Sequence, residues 1–179
     1  MKHYIKFCLT LIVITNSAFA QQYVSKPGLD KFVGIWQNVN GTDTITLHIN
    51  QRYIGSSTYQ VKHILGYYKY KSGNTIIRDN LNNLQVNASA DFVGSMPYGA
   101  SLDSIKFFGT DKLKRKRENG ILTINSSATQ IVYTRNLEIG GGGLNVHPSG
   151  EGPLPGYTLP SVITFTKVEI PIVEMRRPS

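Results

Sequence analysis

Residues 44–50 read Thr-Ile-Thr-Leu-His-Ile-Asn, an unbroken alternation of polar and apolar side chains. Successive side chains of an extended strand point to opposite faces, so Ile45, Leu47 and Ile49 share one face and the threonines share the other with His48. A strand with one apolar face is typical of an antiparallel sheet that is buried on one side only. This stretch therefore predicts an all-β fold.

The same pattern recurs along the chain between short turn signals. An Asn-Gly pair at 40–41 and a Ser-Gly-Asn triplet at 72–74 suit tight hairpins. Only Leu29–Val33 and Asn80–Leu84 suggest single helical turns. The other predicted strands cover 32–39, 59–71, 75–78, 104–108, 113–117, 121–125, 130–135 and 162–168, with a tight turn at Glu118-Asn119-Gly120. We predict an antiparallel meander that closes into a lipocalin-like β-barrel, with a β-sandwich as the alternative.

The first 20 residues have the three parts of a secretory signal peptide. Lys2 and Lys6 give a charged start, residues 7–15 are apolar, and Ala18-Phe19-Ala20 supplies the small residues of a cleavage site. The apolar run is shorter than the roughly 20 residues that span a bilayer. We therefore expect cleavage after Ala20 and a periplasmic or extracellular protein without a transmembrane segment.

Composition narrows the chemistry of the exported part. Residues 21–179 suit a single β domain, with irregular segments predicted at 87–101 and 140–160. The one cysteine, Cys8, lies in the predicted signal peptide, so the domain lacks both a disulfide and a thiolate nucleophile. Its stability must come from packing and hydrogen bonding.

Residues 29–36 form the most distinctive motif of the chain. They read Leu-Asp-Lys-Phe-Val-Gly-Ile-Trp, a short helical turn followed by a strand with a Gly-x-Trp pair. This stretch resembles the start of lipocalin and fatty-acid-binding barrels, where the tryptophan closes one end. The resemblance implies that Phe32 and Trp36 lie near the closed end of a barrel that holds a small apolar or amphipathic, lipid-like ligand. Tyr59 and Tyr67, on one face of the long predicted strand, complete the predicted ligand-binding set.

A wider resemblance covers residues 29–84 and, more weakly, 159–168. It includes Gly66-Tyr67-Tyr68-Lys69-Tyr70 and Asn80-Leu81-Asn82-Asn83-Leu84. This combination is similar to an uncharacterised family of small secreted bacterial proteins with a domain of unknown function. The resemblance implies a lipocalin-like fold and export, and it supplies no catalytic residues. The middle of the chain departs from the family pattern.

Residues 112–117 carry five cations in six positions: Lys112, Lys114, Arg115, Lys116 and Arg117. A strand with these charges cannot be buried on both faces, so an edge strand or hairpin arm is predicted. The alternative function is a structural or adhesion-type protein of the cell envelope that binds an anionic polymer or surface through these five residues. No aromatic residue interleaves the run, so we do not expect nucleic acid as a partner.

Candidate catalytic and metal-binding constellations are weak. His48 and His63 could meet across paired strands beside Asp43 or Asp79, but nothing in their spacing requires a metal. The chain has no Gly-x-Ser-x-Gly motif and no evident carboxylate pair. We predict a non-enzymatic binding protein without cofactor, metal or catalytic residues; an enzyme acting on envelope polymers is a third possibility. The oligomeric state stays open.

Overall fold

A computed structural model describes residues 22–84, 90–97, 102–136 and 154–169 of the chain. The strands are β1 (Gln22–Val24), β2 (Gly34–Asn40), β3 (Asp43–Gly55), β4 (Tyr59–Ser72), β5 (Thr75–Asp79), β6 (Phe92–Pro97), β7 (Ser104–Asp111), β8 (Lys116–Ile124), β9 (Gln130–Arg135) and β10 (Val162–Val168). Two short 3-10 helices, Asp30–Phe32 and Leu81–Leu84, confirm the two predicted helical turns. The predicted signal peptide lies outside the described residues.

The chain divides into two compact units. The larger comprises Pro27–Arg52 and His63–Ser179, and the smaller Met1–Lys26 and Tyr53–Lys62. In the smaller unit β1 pairs in parallel with the start of β4, and the rings of Tyr23 and Tyr53 meet edge to face at 5.1 Å. The single domain expected over residues 21–179 stays a prediction.

Eight antiparallel strands close the barrel of the larger unit. Each strand pairs with the next along the chain, except that β4 passes over β5 to pair with β6. The last strand, β10, returns to pair with β2 and so closes the ring. Strand β5 folds back on the end of β4 as a hairpin. The predicted barrel is thereby confirmed, and the sandwich alternative does not form.

The barrel interior is packed with apolar side chains from all eight strands. Ile45, Leu47 and Ile49 are buried there while the alternate residues of β3 are partly exposed, as the opening pattern predicts. Three rings from β6, β7 and β9 contact one another in series: Phe92 and Phe107 are tilted with centroids 5.1 Å apart, and Phe107 stacks on Tyr133 at 4.9 Å. The core cluster contains Leu29, Phe32, Trp36, Ile45, Leu47, Ile49, Ile64, Tyr68, Phe92, Ile105, Phe107, Leu122, Ile124, Ile131, Tyr133, Leu159, Ile163 and Phe165.

The strand predicted at 113–117 is wrong, because residues 112–115 form the turn between β7 and β8. Asp111 stabilises this turn: its carboxylate accepts a hydrogen bond from the Lys114 backbone N–H at 3.1 Å. Arg115 adopts a left-handed conformation with φ 56°. The cations therefore do not alternate between two strand faces as the strand prediction required.

The turn predicted at Glu118-Asn119-Gly120 is also wrong, since β8 runs through it without a break. Gly120 serves close packing rather than turning. A Cβ atom there would lie 2.1 Å from the Thr134 carbonyl oxygen and 2.7 Å from the Phe107 ring. The glycine is needed because a neighbouring backbone and ring occupy the space that a side chain would take.

Two further predictions need correction. The segment 87–101 was expected to be irregular, yet its residues 92–97 form β6, which closes the barrel against β4. Phe32 was placed in a strand but ends the first 3-10 helix, and β2 starts at Gly34. In the other segment expected to be irregular, 140–160, the described residues 154–160 contain no strand.

Candidate ligand-binding site

The two ends of the barrel differ in chemistry. At one end β2 begins, and Phe32 and Trp36 are fully buried in the core. The Trp36 indole N–H donates a 2.9 Å hydrogen bond to the Phe32 carbonyl, which satisfies the one polar atom of the ring. At the other end lie the turns after β2, β4 and β7, and polar groups replace the apolar core. We call this second end the polar mouth.

The four residues predicted to bind ligand are not gathered at one place in the barrel. Phe32 and Trp36 belong to the apolar core. Tyr67 is buried in β4, but it is absent from the core cluster, to which its neighbour Tyr68 belongs. Tyr59 lies in the smaller unit and is 47 % exposed. Ligand contact by these four residues stays a prediction.

A layer of buried ionisable groups lies beneath the polar mouth. The Glu118 carboxylate accepts a hydrogen bond from the Tyr133 hydroxyl at 3.0 Å. The pKa of Glu118 is raised to about 7: burial and the negative charge of Asp111 raise it, whereas the hydrogen bond from Tyr133 and the charge of Arg135 lower it. Burial likewise raises the pKa of the Tyr133 phenol. The layer thus contains a carboxyl group that titrates near neutral pH.

Asp91 forms the second part of this buried layer. It pairs with the Arg78 guanidinium and accepts hydrogen bonds from the Asn80 amide and the Tyr68 backbone N–H, both at 2.9 Å. These donors stabilise its charge at 1 % exposure. The Arg78 guanidinium lies 5.3 Å from the centre of the Tyr68 ring, so the pair also covers an aromatic face.

Two carboxylates organise the surface of the mouth itself. Asp43, next to the β2–β3 turn, accepts hydrogen bonds from the Tyr70 hydroxyl at 2.9 Å and the Ser72 hydroxyl at 2.6 Å. The Ser72 bond, followed by the Tyr70 bond, lowers the pKa of Asp43, so this group is ionised at neutral pH. The hydroxyl groups of β4 are therefore held in fixed orientations.

Asp111, at the end of β7, likewise fixes the orientation of a hydroxyl group at the polar mouth. Its oxygens accept hydrogen bonds from the Thr158 backbone N–H at 2.6 Å and the Thr158 hydroxyl at 2.8 Å. The segment before β10 is held further by the Leu154 N–H, which donates to the Lys114 carbonyl at 3.0 Å. We call the residues from Leu154 to Ser161 the strap, because these bonds fasten them to the turn between β7 and β8.

Tyr157 is the aromatic residue of the strap. Its ring centre lies 3.8 Å from the Arg135 guanidinium and 5.1 Å from the Lys116 ammonium. The Tyr157 hydroxyl donates to the Arg117 carbonyl at 3.3 Å. Arg135 is 7 % exposed and donates to the Leu159 carbonyl at 2.9 Å. The ring is thus fixed by two cation–π contacts and one hydrogen bond.

An open pocket of about 370 Å³ lies at the polar mouth. One wall is formed by β4 and β5, and the other by the turn after β7 and the strap. Its volume falls within the range of about 300–1,000 Å³ that is usual for small-molecule sites. Its lining combines apolar, aromatic, hydroxyl-bearing and cationic side chains. The residues that line it are Tyr70, Ser72, Ile77, Leu113, Lys114, Tyr157 and Thr158.

The predicted anion-binding residues lie in and beside this pocket. Lys112, Lys114 and Arg115 are in the turn after β7, and Lys116 and Arg117 begin β8. Lys114 lines the pocket, and Lys116 contacts the ring of Tyr157. Binding of an anion by these five residues stays a prediction.

Residues 1–98 match the family of unknown function DUF6705. The chain belongs to this family. The matched part of the DUF6705 protein ends just after β6, so the polar mouth combines β4 and β5 from within the match with a turn and a strap from beyond it. No curated protein and no solved structure matches the chain. The expected membership of an uncharacterised family is confirmed.

Two further observations concern metals and membranes. Across the described ranges, no three His, Cys, Asp or Glu residues are arranged to hold a metal ion. Burial lowers the pKa of His48, which favours its neutral form. None of the helices in the described part of this DUF6705 protein is long and apolar enough to cross a membrane.

Most of the pocket residues are not among those predicted to bind a ligand. Tyr70 ends a predicted strand and Ser72 lies in a predicted turn, and neither belongs to the predicted ligand-binding set. Asp111 and Thr158 are 47 positions apart, and no local pattern connects them. The usable signal was the Lys-Leu-Lys sequence at 112–114, of which Leu113 and Lys114 do line the pocket.

Proposed function

We propose that this DUF6705 protein is an exported, non-enzymatic binding protein that takes a small amphipathic molecule at the polar mouth of its barrel. The observation that supports this most is the pocket, in which apolar side chains lie beside ordered polar groups. Ligand sites of proteins commonly combine an apolar lining with a few fixed polar groups in this way.

The mouth suits a ligand better than the region of Phe32 and Trp36. Both side chains have no solvent exposure, and the Phe107 ring contacts the rings of Phe92 and Tyr133 within the core. A ligand in that region would have to displace packed side chains, which costs about 1–3 kcal/mol even for small changes of volume. The pocket at the mouth is open, so a ligand can enter it without displacing the packed core.

Burial of the apolar part of the pocket would contribute free energy to ligand binding. Ile77 and Leu113 are 40 % and 41 % exposed, which leaves apolar surface for a ligand to cover. Burying such surface contributes about 25 cal/mol per Å², so these two side chains favour an apolar ligand face. The polar groups opposite them would then set the ligand's orientation.

The test uses 1-anilinonaphthalene-8-sulfonate, an amphipathic probe whose fluorescence rises in apolar sites. We expect one molecule to bind, with the stoichiometry read by native mass spectrometry. Leu113→Ser should weaken binding about fivefold or more. Leu102→Ser is the matched control, because Leu102 is 47 % exposed but does not line the pocket. Equal binding by both variants, or no binding at all, would contradict the proposal.

A second candidate function is attachment to an anionic envelope polymer or surface. It is favoured by the five cations between Lys112 and Arg117, which crowd one turn and the start of one strand. Retention on vesicles containing phosphatidylglycerol should then fall steeply with salt. Retention that survives replacement of all five cations by serine would exclude this function.

A further inference from the structure

Four residues that line the pocket carry a hydroxyl group, and each of these hydroxyls donates its hydrogen atom to another group of the protein. Tyr70 and Ser72 donate to Asp43, and Thr158 donates to Asp111, at 2.6–2.9 Å. Tyr157 donates to the Arg117 carbonyl at 3.3 Å. A hydroxyl group has one hydrogen to donate and two lone pairs that accept. What these groups offer a ligand is therefore acceptor oxygens only.

Two carboxylates accept the hydrogen bonds of three of these hydroxyls. Asp43 is ionised at neutral pH, and because an ionised carboxylate only accepts, the hydrogens of Tyr70 and Ser72 are turned towards it. Asp43 uses one oxygen for Tyr70 and the other for Ser72, and Asp111 uses both for Thr158. A ligand placed against these walls must supply the hydrogen atoms.

Lys114 provides the opposite chemistry. It is the one cationic residue among those named as lining the pocket in the described part of the chain. Its backbone N–H is already bonded to Asp111, so its contribution to a ligand is the ammonium group. An ammonium group binds an acceptor, and most strongly an anionic one.

Three requirements follow for a ligand: several hydrogen-bond donors, an acceptor or acid group, and an apolar face towards Ile77 and Leu113. We infer that the pocket binds a sugar unit that carries an acid group, with its hydroxyls donating to Tyr70, Ser72 and Thr158 and its carboxylate next to Lys114. This inference rests on the proposed function and names the ligand class for the same site.

Other amphipathic ligands fit the walls less well. A fatty acid could place its carboxylate at Lys114, but its chain would cover the acceptor oxygens without bonding to them. Polar groups that lose water without gaining a partner carry a large penalty. An organic amine could donate to the hydroxyl oxygens, but its charge would be repelled by Lys114 and the neighbouring cations.

The experiment titrates the folded protein with digalacturonate, neutral lactose and laurate, and follows amide NMR signals. We expect digalacturonate to shift the amides of Leu113, Lys114 and Thr158 and to bind about tenfold more tightly than lactose. Ser72→Ala should weaken digalacturonate binding about fivefold by removing one acceptor. Lys114→Met should weaken digalacturonate binding about tenfold and weaken lactose binding much less, because lactose lacks the acid group.

Ser104→Ala is the matched control, because its hydroxyl also shares a hydrogen bond, with Thr123 at 3.0 Å, but does not line the pocket. It should bind digalacturonate like the wild type. Laurate binding at the same amides without sugar binding would overturn the inference while leaving the proposed function standing. Failure of both sugars, or sugar binding insensitive to Ser72→Ala and Lys114→Met, would overturn the inference as well.

Discussion

At the scale of single residues, Gly120 is a position where packing requires glycine although the local sequence suggests a turn. Glycine after Glu-Asn suggests a turn, yet the residue lies within β8 with Phe107 and the Thr134 carbonyl against its Cα. Only a glycine leaves room for both neighbours. The glycine does mark a structural constraint, but the constraint comes from residues on two other strands and not from a turn.

Gly120→Ala is therefore expected to destabilise the protein. A Cβ atom 2.1 Å from the Thr134 oxygen forces a backbone shift, at a cost of about 1–3 kcal/mol or more. Urea unfolding should show a lower midpoint than wild type. Asn119→Ala, on the opposite face of the same strand, is the control and should cost less. Equal stability of wild type and Gly120→Ala would contradict the packing argument.

Glu118 gives a pH dependence of stability. In the unfolded chain it ionises near its ordinary pKa of 4.5, but burial in the barrel raises the pKa to about 7. Between these values the folded protein keeps a proton that the unfolded chain has lost. The free energy of unfolding should therefore fall as pH rises through this window, by about 3 kcal/mol in total.

Glu118→Gln tests this expectation, because glutamine does not titrate and its oxygen can still accept from Tyr133. Urea unfolding at several pH values between 4 and 8 should give a flatter curve for the variant. Tyr133→Phe removes the bond that lowers the pKa of Glu118, so the sensitive window should extend to higher pH. A stability difference between wild type and Glu118→Gln that does not change with pH would rule the mechanism out.

At the scale of elements, the strap depends on a buried side chain far away in sequence. Asp111 accepts the Thr158 N–H and hydroxyl, and it also accepts the Lys114 N–H of the turn after β7. Its burial at 3 % exposure makes these bonds costly to lose. One carboxylate thus holds both the strap and the turn that flank the pocket.

Asp111→Asn should loosen the strap, since an amide turns a donor towards at least one donor of the protein. We expect a loss of about 2–3 kcal/mol in unfolding free energy and faster hydrogen exchange at the Thr158 amide. Asp103→Asn is the matched control, because its ion pair with Lys31 is far less buried than Asp111 and pairs near the surface contribute about 0–1 kcal/mol. A Thr158 amide that exchanges at the wild-type rate would argue against the role of Asp111.

The elements themselves were predictable where alternation or a hairpin signal was local. Strands β9 and β10 have the predicted bounds, and β4 differs by one residue. The prediction of a strand at the basic run was wrong because the run is held as a turn. The bond from the Lys114 N–H to Asp111 and the left-handed conformation of Arg115 determine that turn, and neither is visible in the pattern of charges. The run of cations with Leu113, taken alone, was equally compatible with an exposed edge strand.

At the scale of the whole molecule, the barrel closes through two short pairings. β4 meets β6 over three residue pairs and β10 meets β2 over three, whereas β2 and β3 share seven and β7 and β8 share eight. A short pairing has few bonds to break before it opens. The pairings that close the barrel are therefore held by the fewest backbone hydrogen bonds and should open most easily.

Hydrogen exchange is expected to rank these pairings. Amides of β6 that face β4, together with the Asp91 N–H bonded to the Gly66 carbonyl at 2.8 Å, should exchange before those between β2 and β3. Exchange resolved by mass spectrometry or NMR measures this order directly. Simultaneous exchange of both sets would mean that the barrel opens only by unfolding as a whole.

The sequence by itself determined the class of fold, because alternation with period two and hairpin dipeptides act between neighbouring residues. It also singled out Trp36 and the cations of 112–117, and it indicated an uncharacterised family. Only the tertiary structure decided that Asp43 and Asp111 orient the hydroxyls of one pocket and that Glu118 lies buried beneath it. Those arrangements join residues up to 47 positions apart, and such contacts exist only once the strands have closed into a barrel.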